Sequence, residues 1–142
     1  AANIATMVIY IVWNALPFKI LILLGGLQSV NKQYYDAAKV DGTSRARTLW
    51  RITVPLLSPM IAYVVITGFI GGFKEYTSIV GIFGEKMGPA DDPYRLNTMV
   101  GLIYNLIESN QGKAAAGALI LFAIIFAVTL INLQVSKKKV HY

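Results

Sequence analysis

Residues 114–135 read AAAGALILFAIIFAVTLINLQV, with no charged side chain in the run. A helix of about 20 apolar residues crosses the hydrocarbon core of a bilayer, and this run reaches that length. Polar and apolar residues do not alternate strictly, which speaks against a strand. Two further apolar runs lie upstream. Ile4 to Leu27 is interrupted by Asn14, Pro17 and Lys19. Pro17 predicts a kink, because it lacks an N–H and its ring clashes with the preceding turn. Lys19 must either snorkel to the interface or face protein. Ile52 to Phe73 has Pro55 and Pro59 in its first turns and no charge inside. The expected fold is an all-α polytopic membrane protein with three transmembrane helices, spanning about 4–27, 52–73 and 114–135.

Composition agrees. Among 142 residues, 56% are hydrophobic and 14% charged, against about a quarter charged in a soluble domain. Intrinsic disorder is excluded, since it needs low hydrophobicity and high charge. A soluble all-α domain would have to hide three apolar segments in one small core. There is no cysteine, hence no disulfide framework and no thiol chemistry. The net charge of +6 fits anionic headgroups and basic loops better than nucleic acid, given where the charges fall. The chain opens Ala1-Ala2-Asn3 without Met or a basic stretch, so the first run does not read as a signal peptide, and a piece of a longer protein is expected.

Charge placement sets the topology. Lys32, Lys39, Arg45, Arg47 and Arg51 lie between the first two runs, and Lys137, Lys138 and Lys139 follow the third. Between the second and third lie Lys74, Lys86, Arg95 and Lys113, diluted by Glu75, Glu85, Asp91, Asp92 and Glu108. Three spans put the first loop and the tail on one side. Both are the basic segments, so the loop at about 31–54 is expected in the cytoplasm and the loop at about 74–113 outside. The three tail lysines read as a topology anchor.

The first loop runs NKQYYDAAKVDGTSRARTLWRITV over 31–54. Tyr34 to Asp41 suits a short helix, and Gly42 fits the left-handed position that ends one. Thr43 or Ser44 can cap a second helix, whose Ala46, Leu49, Trp50 and Thr53 fall near one stripe. Such a knuckle suits either receiving force from a soluble partner or lying on anionic lipid, and the residues alone leave both open.

Asp36-Ala37-Ala38, Asp41-Gly42 and Pro55-Leu56-Leu57-Ser58-Pro59 together resemble the EAA loop of binding-protein-dependent ABC importer permeases. The family pattern is Glu-Ala-Ala, a glycine four positions after the second Ala, then a hydrophobic–Pro pair; here Asp36 replaces the usual Glu. The text from Leu27 to Val30 and from Ala37 to Ser44 is similar to the sugar and glycerol-phosphate branch, as is the closing Val140-His141-Tyr142. The second loop departs from it: Gly84-Glu85-Lys86-Met87-Gly88-Pro89 stands where a Thr-Gly-Gly-Gly-Pro run is common. The resemblance implies that the chain is the C-terminal part of one transmembrane permease domain. It further implies a coupling loop carried by Asp36, Ala37, Ala38, Asp41, Gly42, Arg45 and Leu49. The implied partners are cytoplasmic ATPase subunits, a second permease subunit, an external solute-binding protein and membrane lipid. The chain itself would be no enzyme and hold no cofactor; the setting would be a bacterial or archaeal inner membrane, and the cargo a sugar or sugar-like solute. A membrane anchor or scaffold whose cytoplasmic loop binds another protein is the alternative.

The second run ends Gly68-Phe69-Ile70-Gly71-Gly72-Phe73-Lys74-Glu75-Tyr76. Gly68 and Gly72 share a helix face and read as close helix packing or a hinge. Phe73, Glu75 and Tyr76 combine aromatic faces for sugar C–H groups with a carboxylate for hydroxyls, and equally suit an aromatic belt. Met99, Leu102, Ile103 and Leu106 predict a short amphipathic helix over 97–109. Gly112, Ala114, Ala116 and Gly117 predict close packing at the start of the third span. Asp91 and Asp92 do not make a calcium loop, His141 is the sole histidine, and there is no phosphate-binding lysine motif.

Overall fold

A computed structural model describes residues 2–139. The expectations resting on His141 and on the Val140-His141-Tyr142 ending lie outside the described residues. The elements are α1 (Ala2–Ser29), α2 (Lys32–Val40), α3 (Arg45–Thr48), a π-helical turn (Leu49–Thr53), α4 (Val54–Leu56), α5 (Ser58–Phe73), α6 (Thr77–Phe83), α7 (Met99–Ile107) and α8 (Gln111–Lys139). Among the described residues there is no strand. The protein is an all-α polytopic membrane protein. Among the described residues two helices, α1 and α8, are long and apolar enough to cross a membrane, and there are three if the bent pair Arg45–Leu56 and Ser58–Phe73 counts as one span.

The run from Ile52 to Phe73 is not one straight helix. Its first residues belong to a rod, Arg45–Leu56, which meets α5 at 70°. Two prolines explain the break. Pro55 has no N–H to give the Arg51 carbonyl, and Pro59 has none to give the carbonyl of Pro55. Before the first gap the ladder slips into π register, with the Val54 N–H donating to the Leu49 carbonyl. At Leu57 the backbone opens to ψ −1°, and α5 starts afresh with Pro59 in its first turn. By contrast, α1 continues as helix through Pro17.

The helix α5 packs on both α1 and α8, α1 also touches α6, and α7 lies along α8. Gly26 sets the α1–α5 approach: a Cβ there would stand 2.8 Å from Met60 Cγ and 3.1 Å from Leu57 Cδ2. Gly117 does the same for α8 against Ile103 of α7, at 3.1 Å. The buried cluster is not between the long helices. It is Ile79, Met87 and Leu96, with Met7, Tyr76, Val80 and Phe83 packed around it. The segment after α6 is therefore folded, although its text departs from the family pattern. Met87 and Tyr94 take positive φ of 50° and 70°, and the N–H groups of Tyr94 and Leu96 donate to the carbonyls of Lys86 (2.8 Å) and Met87 (2.9 Å). Gly101 leaves room for the Met87 thioether, which a Cβ would strike.

The candidate coupling knuckle and the polar cavity

Asn31 starts α2 by accepting from the Gln33 N–H at 3.0 Å. The helix ends in a Schellman turn: the Thr43 N–H donates to the Ala38 carbonyl at 2.9 Å, and the Gly42 N–H to the Lys39 carbonyl at 3.1 Å. Gly42 takes φ +66°, as the sequence predicts. Ser44, one of the two expected caps, accepts from the Arg47 N–H at 3.4 Å and opens α3. The knuckle is thus a helix, a glycine turn and a rod. Tyr35 of α2 and Thr53 of the π turn brace it, their hydroxyls 3.0 Å apart.

Ala38 is buried, while Asp36, Ala37, Asp41, Gly42, Arg45 and Leu49 are exposed. Asp36 and Lys39 form an ion pair at 3.9 Å with both side chains well exposed, so it adds little stability. Lys39, Gly42, Arg45 and Leu49 line one cleft of about 830 Å³ together with Leu27, Tyr35 and Thr53. The expected stripe of Ala46, Leu49, Trp50 and Thr53 does not hold together. Thr53 is buried, whereas Leu49 is exposed and Trp50 is 70% exposed, because the π turn changes the angular spacing along the rod. Like Trp50, Val40 of the knuckle is an exposed apolar group, at 87%. Neither belongs to the residues the resemblance marks. Their apolar character in a charged loop was the available signal.

Beyond α5, the three expected path residues separate. Phe73 lines a cleft of about 520 Å³ together with Lys19, Val64, Gly68 and Phe69. Glu75 lines a second cavity of about 330 Å³ with Asn14, Lys19, Thr67 and Ser78. One Glu75 carboxylate oxygen accepts from the Ser78 N–H at 3.2 Å, and its backbone carbonyl accepts from the Thr98 hydroxyl at 2.9 Å. Tyr76 is turned elsewhere: its ring stacks on Tyr104 with centroids 4.5 Å apart and packs on the Ile79–Met87 cluster. At Gly68, read as close helix packing or a hinge, the neighbouring α1 approaches through a side chain, with Lys19 Nζ 2.8 Å from where its Cβ would be. A Cβ at Gly72 would meet open space. Lys19 therefore belongs with Phe73 and Glu75, and its charge inside an apolar run was the sign of it. Among the described residues there is no cluster of metal-ligating side chains.

Residues 1–141 match the model of the family described as binding-protein-dependent transport system inner membrane component. The chain is similar to the arabinooligosaccharides transport system permease protein AraP of Bacillus subtilis (strain 168), 33% identical over 92% of this chain and 41% of the relative. It is 30% identical to the sn-glycerol-3-phosphate transport system permease protein UgpA of Brucella abortus biovar 1 (strain 9-941), over 96% of this chain and 46% of the relative. It is 34% identical to the multiple sugar-binding transport system permease protein MsmF of Streptococcus mutans serotype c, over 90% and 43%. The chain spans less than half the length of each of these relatives. No solved structure matches it. With a helical membrane body, a Gly-turned knuckle and a family model matched along nearly its whole length, the chain belongs to the inner membrane components of binding-protein-dependent transport systems.

Proposed function

We propose that this chain is the C-terminal part of a transmembrane permease domain in an ATP-driven importer, moving a sugar or sugar-like solute into the cytoplasm of a bacterium or archaeon. The supporting observation is the knuckle. It is rigid, because Gly42, Ser44 and the Tyr35–Thr53 pair fix its two arms, and it is exposed where a partner must grip. Asp36 and Arg45 offer charged handles, Ala37 permits close backbone approach, and Leu49 lines a cleft able to accept an apolar side chain. Its basic side faces the cytoplasm by the positive-inside rule. There it docks on ATPase subunits, which hydrolyse nucleotide; this chain hydrolyses nothing. The rod carries their motion to α5 across the bend at Leu57. A second permease subunit completes the pathway, and an external solute-binding protein delivers the cargo. The names of the relatives, which include sugar and glycerol-phosphate systems, support the solute class.

A thiol placed at Arg45 tests the reading, since the chain has no cysteine of its own. In native membranes it is expected to cross-link to a protein that an ATP photoaffinity label also marks. Cross-linking only to proteins that bind no nucleotide rejects the importer reading in favour of a scaffold.

A further inference from the structure

The rod Arg45–Leu56 has two unlike sides. Arg45, Thr48, Leu49 and Thr53 line the cleft shared with α2. Ala46, Arg47, Trp50 and Arg51 line none of it, and all four are exposed. Trp50 and Arg51 follow Arg47 at helical spacings of three and four, so the three share one side of the rod. Among the described residues neither guanidinium pairs with a carboxylate. Two arginines and an open indole are thus turned away from the cleft.

The bend fixes the depth of that side. With 28 residues α1 is about 42 Å long, against a hydrocarbon core of about 30 Å, so its last turn reaches the headgroup layer. Leu57 packs on that turn: a Cβ at Gly26 would stand 3.1 Å from Leu57 Cδ2. From Leu57 the rod runs back at 70° to α5. Arg47 is therefore about 15 Å from Leu57 along the rod but only about 5 Å along the direction of α5. A headgroup layer is about 5–8 Å deep on each side of the bilayer, so Arg47, Trp50 and Arg51 all lie within its reach. Tryptophan suits this layer, its ring apolar and its N–H polar. An arginine fork matches a phosphate with two parallel donors. Arg47 and Arg51 stand about 6 Å apart along the rod, a spacing that lets both reach one phosphodiester. We propose that Arg47, Trp50 and Arg51 form a binding site for the headgroup of an anionic phospholipid. Both guanidinium groups donate to its phosphate, and the indole sits among the glycerol esters below. A zwitterionic headgroup fits less well, because its own cation meets the two arginines as a like charge. Lipid thus seats one side of the rod and leaves the cleft side to the knuckle's partner. This goes beyond the importer reading and is independent of the solute.

The test uses the whole assembly purified through a tag on this chain, in nanodiscs of equal phosphatidylcholine and phosphatidylglycerol. The photo-cross-linking residue p-benzoylphenylalanine is placed at Trp50; on illumination it inserts into a neighbouring C–H bond, and mass spectrometry weighs the adducts. Lipid adducts are expected, with phosphatidylglycerol exceeding phosphatidylcholine by roughly tenfold or more, the order that two basic residues at the surface give. Arg47→Gln together with Arg51→Gln brings the ratio down to that of the bilayer. Arg47→Lys together with Arg51→Lys keeps both charges and retains most of the preference. Each variant is read only in assemblies that elute as the parental one does, so loss of fold does not enter the ratio. Adducts with another subunit in place of lipid, or lipid adducts in the bilayer ratio with both arginines intact, overturn the site. A preference that survives the glutamine pair overturns it as well. Transport on ATP is no part of the readout, so this site and the importer reading stand or fall separately.

Discussion

Gly42 sits at φ +66° with open space where a Cβ would be, so the demand for glycine there comes from the backbone and not from a neighbour. A β-branched residue at that φ costs about 1–2 kcal/mol, while Asn tolerates it. Gly42→Val is therefore expected to insert at parental levels yet take up less solute per ATP hydrolysed, and Gly42→Asn to keep most of the coupling. Uptake and ATPase rates measured on the same vesicles decide it; a parental ratio for the valine variant contradicts the role given to the turn. Gly101 is the opposite case. Its φ is ordinary and its neighbours are not: a Cβ would strike the Met87 thioether and Asn97 Oδ1. Gly101→Val is expected to cost about 1–3 kcal/mol by overpacking. The effect should read out as faster proteolysis between Gly84 and Asn97, with α1 and α8 uncut. The residues 36–42 were legible because a turn glycine and its flanking caps are local chemistry. Met87 was not, since a methionine with positive φ that fills the space over a distant glycine leaves no mark at its own position.

Between elements, Tyr35 and Thr53 form a polar brace that joins α2 to the π turn across the knuckle. Thr53 is buried, so removing its partner strands a hydroxyl and costs about 1–3 kcal/mol, whereas removing both hydroxyls costs less. Tyr35→Phe alone is expected to speed amide exchange over Lys32–Val40. Tyr35→Phe with Thr53→Val should exchange more slowly than the additive sum predicts, and strict additivity would show that the two hydroxyls do not act together. The sequence marked the two arms and the glycine between them but extended the second span back to Ile52. Apolar residues continue through the bend without a break in composition, so hydropathy sees one run where the prolines make two helices. The same slip into π register separated Thr53 from Leu49 and Trp50, which a regular helical period had placed together. The short helix over Met99–Ile107 was legible because its period is regular and Thr98 caps it, accepting from the Gly101 N–H at 3.2 Å.

On the scale of the whole chain, two membrane helices were plain from length and composition, and their neighbours were not, because packing partners are chosen by shape. Topology is expected to follow from charge. Single thiols at Arg45 and at Asp91 in intact cells are expected to differ, with an impermeant reagent labelling only the second; labelling at Arg45 would invert the arrangement and remove the knuckle from any cytoplasmic motor. Extraction is expected to require detergent. The apolar faces of α1 and α8 lie almost wholly open, and the cluster that the chain does bury is a small cap around Met87. Lipid satisfies such faces, but lipid does not hold one long helix at a fixed angle to another. Under the assembly proposed above, a copy synthesised without partners is expected to have little internal means of keeping its shape. Under that proposal, its half-life in the cell is expected to report how completely the assembly has formed.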